Sequence, residues 1–364
     1  FTAFKKTTWQ KNAIMLWFIG LGISGFKSIP NEALDVLSKA DIVYLEQFTS
    51  PIGKSDLTKI KNASKGEFKP AKRWLVEDGK EILENAKKKK VVLLSYGDPY
   101  IATTHIELRT RAIEQKIKTH SIHAASSLTS MIGECGLHYY KVGRIATIMS
   151  EMELTTPYYV IYKNIIEGNH TTLLLEYNQD KDFFLKPNDA LNGLVEAEKG
   201  QKRNVISTST FAIIASRIGF KDQTIISGKI SSLKKKEFGK PPHTIIIPGR
   251  MHFTESDAVK ILGECIDEPF DNTEKTKKIS NQMMEKYVPM VRDALEEIIP
   301  LYKDQKEFQV ILENAELYIQ DAEKFLEDGQ DEVAILSIGY ADGLVDALRL
   351  AKGLDPKMWL LSMN

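Results

Sequence analysis

Residues 97–112 combine a sharp turn, an acidic side chain and a helix start, and together these predict a ligand-binding loop. The segment has the sequence Gly-Asp-Pro-Tyr-Ile-Ala-Thr-Thr-His-Ile-Glu-Leu-Arg-Thr-Arg-Ala. Residues 91–94 before it are wholly apolar, which is typical of a strand buried on both faces. Gly97 and Pro99 should end that strand, because glycine permits unusual backbone angles and proline has no amide hydrogen to donate.

A helix is expected to follow this loop. Thr104 and Glu107 have the spacing of a capping box, and the apolar positions continue to Ala112. A strand, a loop and a helix start in this order place Asp98 at the carboxyl edge of a parallel sheet, where open α/β sheets bind their ligands. An Asp in a turn often bonds only its own backbone, so the spacing alone leaves both roles for Asp98 open.

Apolar strand candidates alternate with helical patterns from Met15 onward, which predicts two tandem α/β domains with mainly parallel sheets. The first domain is predicted at residues 15–124, with strands at 16–19, 42–45, 91–95 and 121–123. The second is predicted at residues 125–265, starting where small residues replace the apolar pattern. Its expected strands lie at 146–149, 172–175, 205–209, 224–227 and 244–247, and its expected helices at 157–166 and 188–198.

The C-terminal part has a different period. Residues 266–278 are polar and charged, which predicts a linker. Beyond them, apolar residues recur at steps of three and four in two stretches that end at Gly329 and Gly353. Together with a third helix around Met290, they predict an all-α helical bundle at residues 279–364. Small residues on the facing sides would let the helices approach closely: Ala315, Ala322, Ala334 and Ala341.

Composition limits the classes of function. The 364 residues exceed one ordinary core, and Lys+Arg balance Asp+Glu at 49 each, so no net charge favours nucleic acid or an acidic membrane. No apolar run approaches the ~20 residues that span a bilayer. Two cysteines, Cys135 and Cys265, predict a reducing compartment, the cytoplasm, with neither a disulfide framework nor a metal site. Residues 1–14 start with Phe and are expected to be an extension outside the fold.

A second motif follows the first predicted strand. Residues 20–25, Gly-Leu-Gly-Ile-Ser-Gly, satisfy the dinucleotide-binding fingerprint, and Glu46 lies at the expected later position. The fingerprint works only if a helix starts at its second glycine. Here Ser28 is the predicted N-cap and Pro30 suits the first turn, which would leave Gly25 outside the helix. A dinucleotide-binding protein therefore remains a weaker alternative.

Residues 97–112 resemble the Gly-Asp-Pro-x-x-Ala-Thr-Thr-His-x-Glu-Leu-Arg-x-Arg-Ala signature of archaeal and eukaryotic diphthine synthases. Three further segments agree with that family in order across roughly residues 15–262. They are Glu46-Gln47-Phe48-Thr49-Ser50, the block at 122–141 ending in Gly136-Leu137-His138-x-Tyr140-Lys141, and Pro241-Pro242-His243 leading to Ile247-Pro248-Gly249-Arg250-x-His252. The helical bundle is an addition, and it resembles a helical module of unknown function found in archaea.

The resemblance implies the tetrapyrrole methylase fold, in which two α/β domains hold S-adenosylmethionine in the cleft between them. It implies a methyltransferase that acts on the amino group of the 3-amino-3-carboxypropyl histidine of translation elongation factor 2, giving diphthine in diphthamide biosynthesis. It also implies a homodimer, and it calls for no metal, nucleic acid or membrane. The family's cofactor contacts map onto Ile23, Asp98, Ile101, Ser126, Ser127, Leu175, Ile218 and His243.

Each of these residue types suits the cofactor. The Asp98 carboxylate could accept hydrogen bonds near the cationic sulfonium, and Ser126 and Ser127 offer amides and hydroxyls at the domain junction. The isoleucines and the leucine would form apolar walls, and His243 could pair with adenine or cap a strand end. The chain departs from the family at Ala125 and Ser127, where Pro and Ile are common, and has Ser-Arg-Ile-Gly at 216–219 in place of Ala-Arg-Ala-Gly.

No catalytic acid or base is assigned from the sequence. The methyl carbon is already electrophilic, so positioning of the amine is the main requirement. His105, His138 and His252 are expected to be structural. The basic residues at 234–236 with Lys240 and those at 87–90 are candidate surfaces for the protein substrate, the first expected nearer the site, and either could be a solvated edge. A related methyltransferase acting on a tetrapyrrole precursor, or a binding role for the helical bundle, are the alternatives.

Overall fold

A computed structural model describes residues 14–48, 52–178, 181–276 and 278–356. Most of the expected extension at 1–14, as well as Thr49 and Ser50 of the second signature segment, lies outside the described residues, as does the end of the predicted bundle beyond residue 356. The chain forms two compact units, of which one ends at Lys275 and the other begins at Thr276.

The first unit begins with a five-stranded sheet in which all strand pairs are parallel. Its strands are β1 (Met15–Gly20), β2 (Ile42–Glu46), β3 (Glu67–Ala71), β4 (Lys90–Ser95) and β5 (Thr119–Ile122), in the order β3-β2-β4-β1-β5. The associated helices are α1 (Asn31–Leu37), α2 (Lys54–Ala63), α3 (Arg73–Asp78), α4 (Lys80–Ala86) and α5 (His105–Glu114). Separate apolar clusters cover the two faces of the sheet, which explains why its central strands are continuously apolar.

A six-stranded mixed sheet forms the other half of the first unit. Its strands are β6 (Ala146–Ile148), β7 (Thr171–Leu175), β10 (Phe211–Ser216), β11 (Thr224–Lys229), β12 (His243–Ile247) and β13 (Glu264–Cys265), and the short strands β8 (Tyr177–Asn178) and β9 (Phe183–Phe184) pair separately. The helices are α6 (Ser127–Glu134), α7 (Thr155–Ile166), α8 (Pro187–Gln201), α9 (Ile230–Leu233) and α10 (Phe253–Leu262).

The prediction of mainly parallel sheets is wrong for this second sheet. Its order is β13-β11-β10-β12-β7-β6, and the three central pairs are antiparallel. Only the outer pairs, β11 with β13 and β6 with β7, are parallel. The cause is local, because β10 and β11 are joined by the short loop at 217–223, and adjacent strands joined by a short loop pair as an antiparallel hairpin.

The strand predicted at 205–209 is also wrong, because the true strand is β10 at Phe211–Ser216. The backbone amides of Val205 and Ile206 both donate to one carboxylate oxygen of Glu198, at 2.9 Å each. These two apolar residues are buried, but their amides are bonded to a side chain from α8 instead of a neighbouring strand.

Two predicted helix caps also differ from the structure. Thr104 precedes α5 as predicted, but its side chain makes no capping bond. Ser28 ends a single 3-10 turn, Gly25–Ser28, and its hydroxyl donates to the carbonyls of Leu21 and Gly25. The α1 helix begins at Asn31 with Pro30 before it, so Gly25 precedes the α-helix as expected.

The segment predicted as a linker, 266–278, is anchored to the first unit over most of its length. The side chain of Asn272 is buried, accepts a bond from the Phe211 amide and donates to the carbonyls of Phe211 and Pro248. The carboxylate of Asp267 accepts a bond from the Lys229 amide. This part of the chain therefore completes the second sheet's surroundings before the helical unit starts.

The second unit is the predicted all-α bundle. It contains α11 (Ile279–Ile298), α12 (Lys306–Glu327) and α13 (Asp331–Ala351). The short turn between the last two helices contains Gly329 in a left-handed conformation, so α12 and α13 form an antiparallel hairpin. The small residues predicted to face each other are all fully buried: Ala315, Ala322, Ala334 and Ala341. Within the described parts of both units, no helix has the length and apolar character needed to cross a membrane.

Candidate active site

Three loops meet at the carboxyl edge of the first sheet, because they follow the adjacent strands β4, β1 and β5. Gly22 and Gly97 exchange two backbone hydrogen bonds that join the first two loops. Gly20 has no room for a Cβ atom, because the carbonyl of Gly97 and the chain at Ala124 lie against it. The loops are thus packed backbone to backbone.

A cavity of about 260 Å³ lies between these loops and the second sheet. Its wall combines apolar and aromatic side chains with a few hydroxyl and charged groups, which is the usual composition of a small-molecule site. Six of the eight residues predicted as cofactor contacts line it: Ile101, Ser126, Ser127, Leu175, Ile218 and His243.

The other two predicted residues, Ile23 and Asp98, are not part of the cavity wall. Ile23 packs against Gly219 of the second half, and its carbonyl accepts a bond from the Tyr96 hydroxyl at 2.7 Å. The Asp98 carboxylate is buried and both of its oxygens are engaged. One accepts the Tyr100 amide at 3.0 Å, and the other lies 2.7 Å from Nδ1 of His123.

Two contacts hold the halves of the first unit together beside the cavity. The Ser24 hydroxyl donates to the Gly219 carbonyl at 2.6 Å. The Tyr96 ring stacks on Phe220, with 6.5 Å between centroids and 7° between planes. Burial raises the pKa of Tyr96, so its hydroxyl stays protonated and donates to Ile23. Tyr96 and Phe220 both line the cavity, and the sequence analysis did not identify either, although Tyr96 directly precedes Gly97.

His243 is the first residue of β12, and its Nδ1 lies 2.9 Å from the hydroxyl of Ser216, its partner on the neighbouring strand β10. Burial lowers the pKa of His243 to about 4, so the imidazole is neutral near pH 7. A neutral imidazole at a cavity wall can exchange hydrogen bonds with an uncharged heterocycle.

The segment after β5 reaches the cavity as a helix N-terminus. Ser126 is the N-cap of α6, and its hydroxyl accepts the Leu128 amide at 3.3 Å. Ser127 starts the helix, and both serines line the cavity. The amides of Leu128, Thr129 and Ser130 bond to Ser126, so the donors that this corner can offer a ligand are the amide and the hydroxyl of Ser127.

Charged side chains lie at three points of the cavity wall. The Arg73 guanidinium lies 4.9 Å from the centroid of the Phe48 ring and 3.5 Å from the Glu77 carboxylate, which is long for an ion pair. Arg217 is held more firmly, by Asp222 at 2.8 Å and by the Pro241 carbonyl at 3.1 Å. The remaining group, Glu176, accepts bonds from the amide and the hydroxyl of Ser150.

The glycine-rich segment after β1 does not form a dinucleotide site. A Cβ on Gly25 would collide with the Asp56 carboxylate, so this glycine allows a neighbouring helix to pack closely. Glu46, the predicted ribose ligand, is almost fully buried, and one of its oxygens accepts the Phe48 amide at 2.8 Å. The α-helix begins only at Asn31 and presents no free N-terminus at the second glycine.

Two of the segments that resemble the family, 122–141 and 241–252, meet at Glu255. The sequence did not point to this buried carboxylate. It accepts bonds from Lys141 at 2.5 Å, from the amides of His138 and His252, and from His170 at 2.9 Å. Burial acts to raise the pKa of Glu255, but the bonds from Lys141 and the other donors outweigh it and lower the pKa to about 2.

The histidines predicted as structural have structural contacts. His252 caps α10 through a bond from the Thr254 amide, and His138 Nδ1 lies 2.9 Å from the Tyr140 hydroxyl. His105 is buried with Nδ1 3.0 Å from the Pro99 carbonyl, and burial lowers its pKa to about 4. Among the described residues, no cluster of three or more His, Cys, Asp or Glu side chains could hold a metal ion.

Comparison with known proteins agrees with this architecture. Residues 15–234 match the family described as Tetrapyrrole (Corrin/Porphyrin) Methylases, and residues 286–354 match a Protein of unknown function (DUF357). The chain is 35% identical over 256 residues to the diphthine synthase of Methanococcus maripaludis (strain C5), covering 69% of this chain and 100% of that protein.

Solved structures give the same result. A crystal structure of diphthine synthase superposes with a TM-score of 0.62 at 29% identity, covering 69% of this chain and 96% of the other. A putative diphthine synthase from Entamoeba histolytica superposes with a TM-score of 0.61 at 30% identity, covering 68% and 98%. The chain therefore belongs to the diphthine synthase family of tetrapyrrole methylase-type methyltransferases, with a helical unit added at its C-terminal end.

Proposed function

We propose that this protein uses S-adenosylmethionine to methylate the amino group of the 3-amino-3-carboxypropyl histidine of translation elongation factor 2, giving diphthine. The observation that carries the proposal is the cavity between the two sheets, whose wall contains six of the residues predicted as cofactor contacts. Family membership supports the same reaction, because relatives that match over their whole length are named diphthine synthases. A tetrapyrrole substrate has no comparable support beyond the name of the broader family.

The residues at the cavity suit the methyl donor. Ile101, Leu175 and Ile218 would pack against its adenosine part, while the first turn of α6 at Ser127 and the neutral His243 offer hydrogen bonds. S-adenosylmethionine, when bound, supplies an electrophilic methyl group on a cationic sulfonium.

Ile23 and Asp98 have indirect roles in this proposal. Ile23 supports the wall through its packing on Gly219, and the Asp98 carboxylate holds the Gly97 loop through the Tyr100 amide. Neither residue is part of the wall itself, so we do not propose a direct contact between the Asp98 carboxylate and the donor.

The modified histidine carries both an amine and a carboxylate, and the site has to orient both. Arg73 and Arg217 place positive charge in the cavity wall. Within the part of the chain that the structure describes, the Arg73 guanidinium contacts only the Glu77 carboxylate, at 3.5 Å, and the Phe48 ring. We propose that Arg73 receives the carboxylate, since a guanidinium binds carboxylates in a fixed geometry. The chain then holds the amine near the methyl group, within roughly 3 to 3.5 Å in a reactive arrangement.

The protein substrate also needs a recognition surface. Lys240 is two residues before Pro242 of the cavity wall, so the basic stretch at 234–240 is our candidate for that surface. We further propose that the enzyme works in the cytoplasm and that it is a homodimer. Sedimentation velocity at micromolar concentration tests the dimer directly.

Two measurements on the purified protein test the proposed function. Titration calorimetry should show S-adenosylmethionine binding with no heat from NAD. Incubation with elongation factor 2 that carries the unmethylated precursor should transfer labelled methyl groups to that protein. Elongation factor 2 with an unmodified histidine is the control, and it should stay unlabelled. Binding of NAD, or equal labelling of both forms of the factor, would overturn the proposal.

A further inference from the structure

His123 and Asp98 form a close pair next to the cavity. Nδ1 of His123 lies 2.7 Å from Oδ2 of Asp98, and the two side chains are 66% and 6% exposed. The other carboxylate oxygen accepts the Tyr100 amide at 3.0 Å. The carboxylate is therefore fixed at both oxygens, and it holds one nitrogen of an imidazole that otherwise faces solvent.

The surroundings of His123 fix the ring further. The Tyr100 ring packs edge-on at 5.9 Å between centroids, and its hydroxyl lies 2.6 Å from that of Ser121 on β5, the strand that ends just before His123. The Arg109 guanidinium from α5 lies 5.5 Å from the Tyr100 centroid. Among the described residues, Asp98 and Tyr100 are the titratable groups that contact this imidazole, and Arg109 contacts Tyr100. Within the described ranges, Nε2 of His123 has no hydrogen-bond partner.

The pair adjoins the cavity through both of its chain segments. Asp98 follows Gly97 directly, and His123 is three residues before Ser126, while Gly97 and Ser126 both line the cavity. A buried carboxylate that receives Nδ1–H fixes the imidazole tautomer in which Nε2 carries the lone pair. This tautomer leaves Nε2 as a hydrogen-bond acceptor on the segment that leads from β5 to the cavity, although neither side chain lines the cavity itself.

We propose that His123 accepts the proton of the substrate amine and that Asp98 is its positioning residue. The proposal rests on the proposed function and adds a catalytic group to a site in which the sequence identified none. An alkylamine is largely protonated near neutral pH and has no lone pair to attack a methyl group.

The proton moves from the substrate amine to His123. One N–H bond of the substrate ammonium breaks, its electron pair stays on nitrogen as the nucleophile, and the proton bonds to Nε2 of His123. The Asp98 carboxylate stabilises the imidazolium, and the exposed ring passes the proton to water. Each methyl transfer leaves a positively charged nitrogen, so the same deprotonation must precede any further transfer. An imidazole open to water can repeat it.

The decisive variants are His123→Gln and Asp98→Asn, with His120→Gln as the matched control. His120 lies on β5, three residues before His123, and contacts the Trp17 ring at 4.7 Å between centroids. We expect kcat/KM for methyl transfer at pH 7 to fall by about 10²- to 10⁴-fold in His123→Gln, the range of general base catalysis. The loss should shrink as pH rises toward 10, because the amine then deprotonates without help. His120→Gln should match the wild type.

Two readouts separate this role from a structural one. Calorimetry should show that His123→Gln binds S-adenosylmethionine as well as the wild type does. Nitrogen-15 NMR of the histidine rings should show a single Nδ1–H tautomer for His123 in the wild type and a mixture of tautomers in Asp98→Asn.

The outcomes distinguish the two proposals. A His123→Gln variant with wild-type rates, or with a loss that is equal at every pH, overturns the role of His123 while the wild type still binds the donor and transfers methyl groups. An unchanged tautomer in Asp98→Asn overturns the role of Asp98. A wild type that neither binds the donor nor methylates elongation factor 2 overturns the proposed function, and the assignment of His123 with it.

Discussion

Gly22 and Gly97 form a reciprocal pair of backbone hydrogen bonds, 3.1 Å from the Gly22 amide and 3.0 Å from the Gly97 amide. Both residues have positive φ angles, 74° and 70°, in the region that favours glycine. The pair connects the glycine-rich segment after β1 to the signature loop after β4. Gly22 of the sequence that resembles a dinucleotide fingerprint therefore packs against the loop at Gly97, which lines the cavity.

This packing predicts the effect of Gly20→Ala. The new methyl group would collide with the Gly97 carbonyl and the chain at Ala124, and neither backbone can move without disturbing the loops. We expect the free energy of unfolding to fall by about 1–3 kcal/mol in urea titrations, the usual range for overpacking, and donor binding to weaken.

The matched control for that change is Gly133→Ala. Gly133 lies within α6, and a Cβ there would meet no other atom within 4 Å. We expect this variant to gain roughly 0.5–1 kcal/mol from helix propensity. Equal stability of the two variants would contradict the account of the loops.

His243→Ala tests the cavity wall directly. Near pH 7 the residue is a neutral imidazole that lines the cavity, so its removal should weaken S-adenosylmethionine binding by about tenfold, which corresponds to one hydrogen bond of ordinary strength. His252→Ala is the control, because His252 also starts an element but caps α10 and is not part of the wall. Calorimetric Kd values that change equally in both variants would show that the cavity is not the donor site.

The buried Glu255 carboxylate should make the free energy of unfolding depend on pH in the acid range. Its pKa is lowered to about 2 in the folded protein from an ordinary value of 4.5, so the ionised carboxylate stabilises the fold fully above about pH 4.5. This stability is lost as pH falls from 4.5 toward 2, and a shift of that size corresponds to about 3 kcal/mol.

Glu255→Gln should therefore reduce the free energy of unfolding by about that amount at pH 7 and flatten its dependence on pH between 4.5 and 2. Glu196→Gln is the control, because Glu196 and its partner Lys199 are both 70% exposed. Denaturant titrations at several pH values give both results. A Glu255→Gln protein that is as stable as Glu196→Gln would contradict the buried network.

Truncation tests where the methyltransferase part ends. A chain that stops after Asp267 loses Asn272, whose side chain bonds to the Phe211 amide and to the carbonyls of Phe211 and Pro248. Leaving these buried groups without partners should cost about 1–3 kcal/mol each. A chain that stops after Thr276 keeps these contacts. Its thermal unfolding should match that of the first unit in the full protein, and its rate of methyl transfer should match that of the full protein. If the chain that stops after Thr276 folds but no longer transfers methyl groups, the helical unit has a catalytic or docking role.

The local pattern of apolar residues was sufficient to predict the strands that are buried throughout and the helices that are buried on one face. The apolar runs of β1, β2 and β4 predicted the central strands, and apolar residues at steps of three and four, ending at Gly329 and Gly353, predicted α12 and α13. It failed for β3, because its sequence Glu-Phe-Lys-Pro-Ala belongs to an edge strand with little apolar character.

Other features depend on contacts between distant parts of the chain. Glu255 meets Lys141 and His170, residues that are 114 and 85 positions away, and no local rule places a carboxylate there. Val205 and Ile206 looked like a strand because their apolar side chains are buried, while the amides that decide the question bond to Glu198. The site residues came from a family signature, and the pairing of Asp98 with His123 appears only in three dimensions.

The central claim is tested most directly by tandem mass spectrometry of elongation factor 2 after incubation with this protein and S-adenosylmethionine. The factor must carry the 3-amino-3-carboxypropyl histidine at the start. We predict methyl groups on the amino nitrogen of that modified histidine and on no other residue. A factor with no added methyl mass, or with methyl groups located elsewhere, would contradict the account.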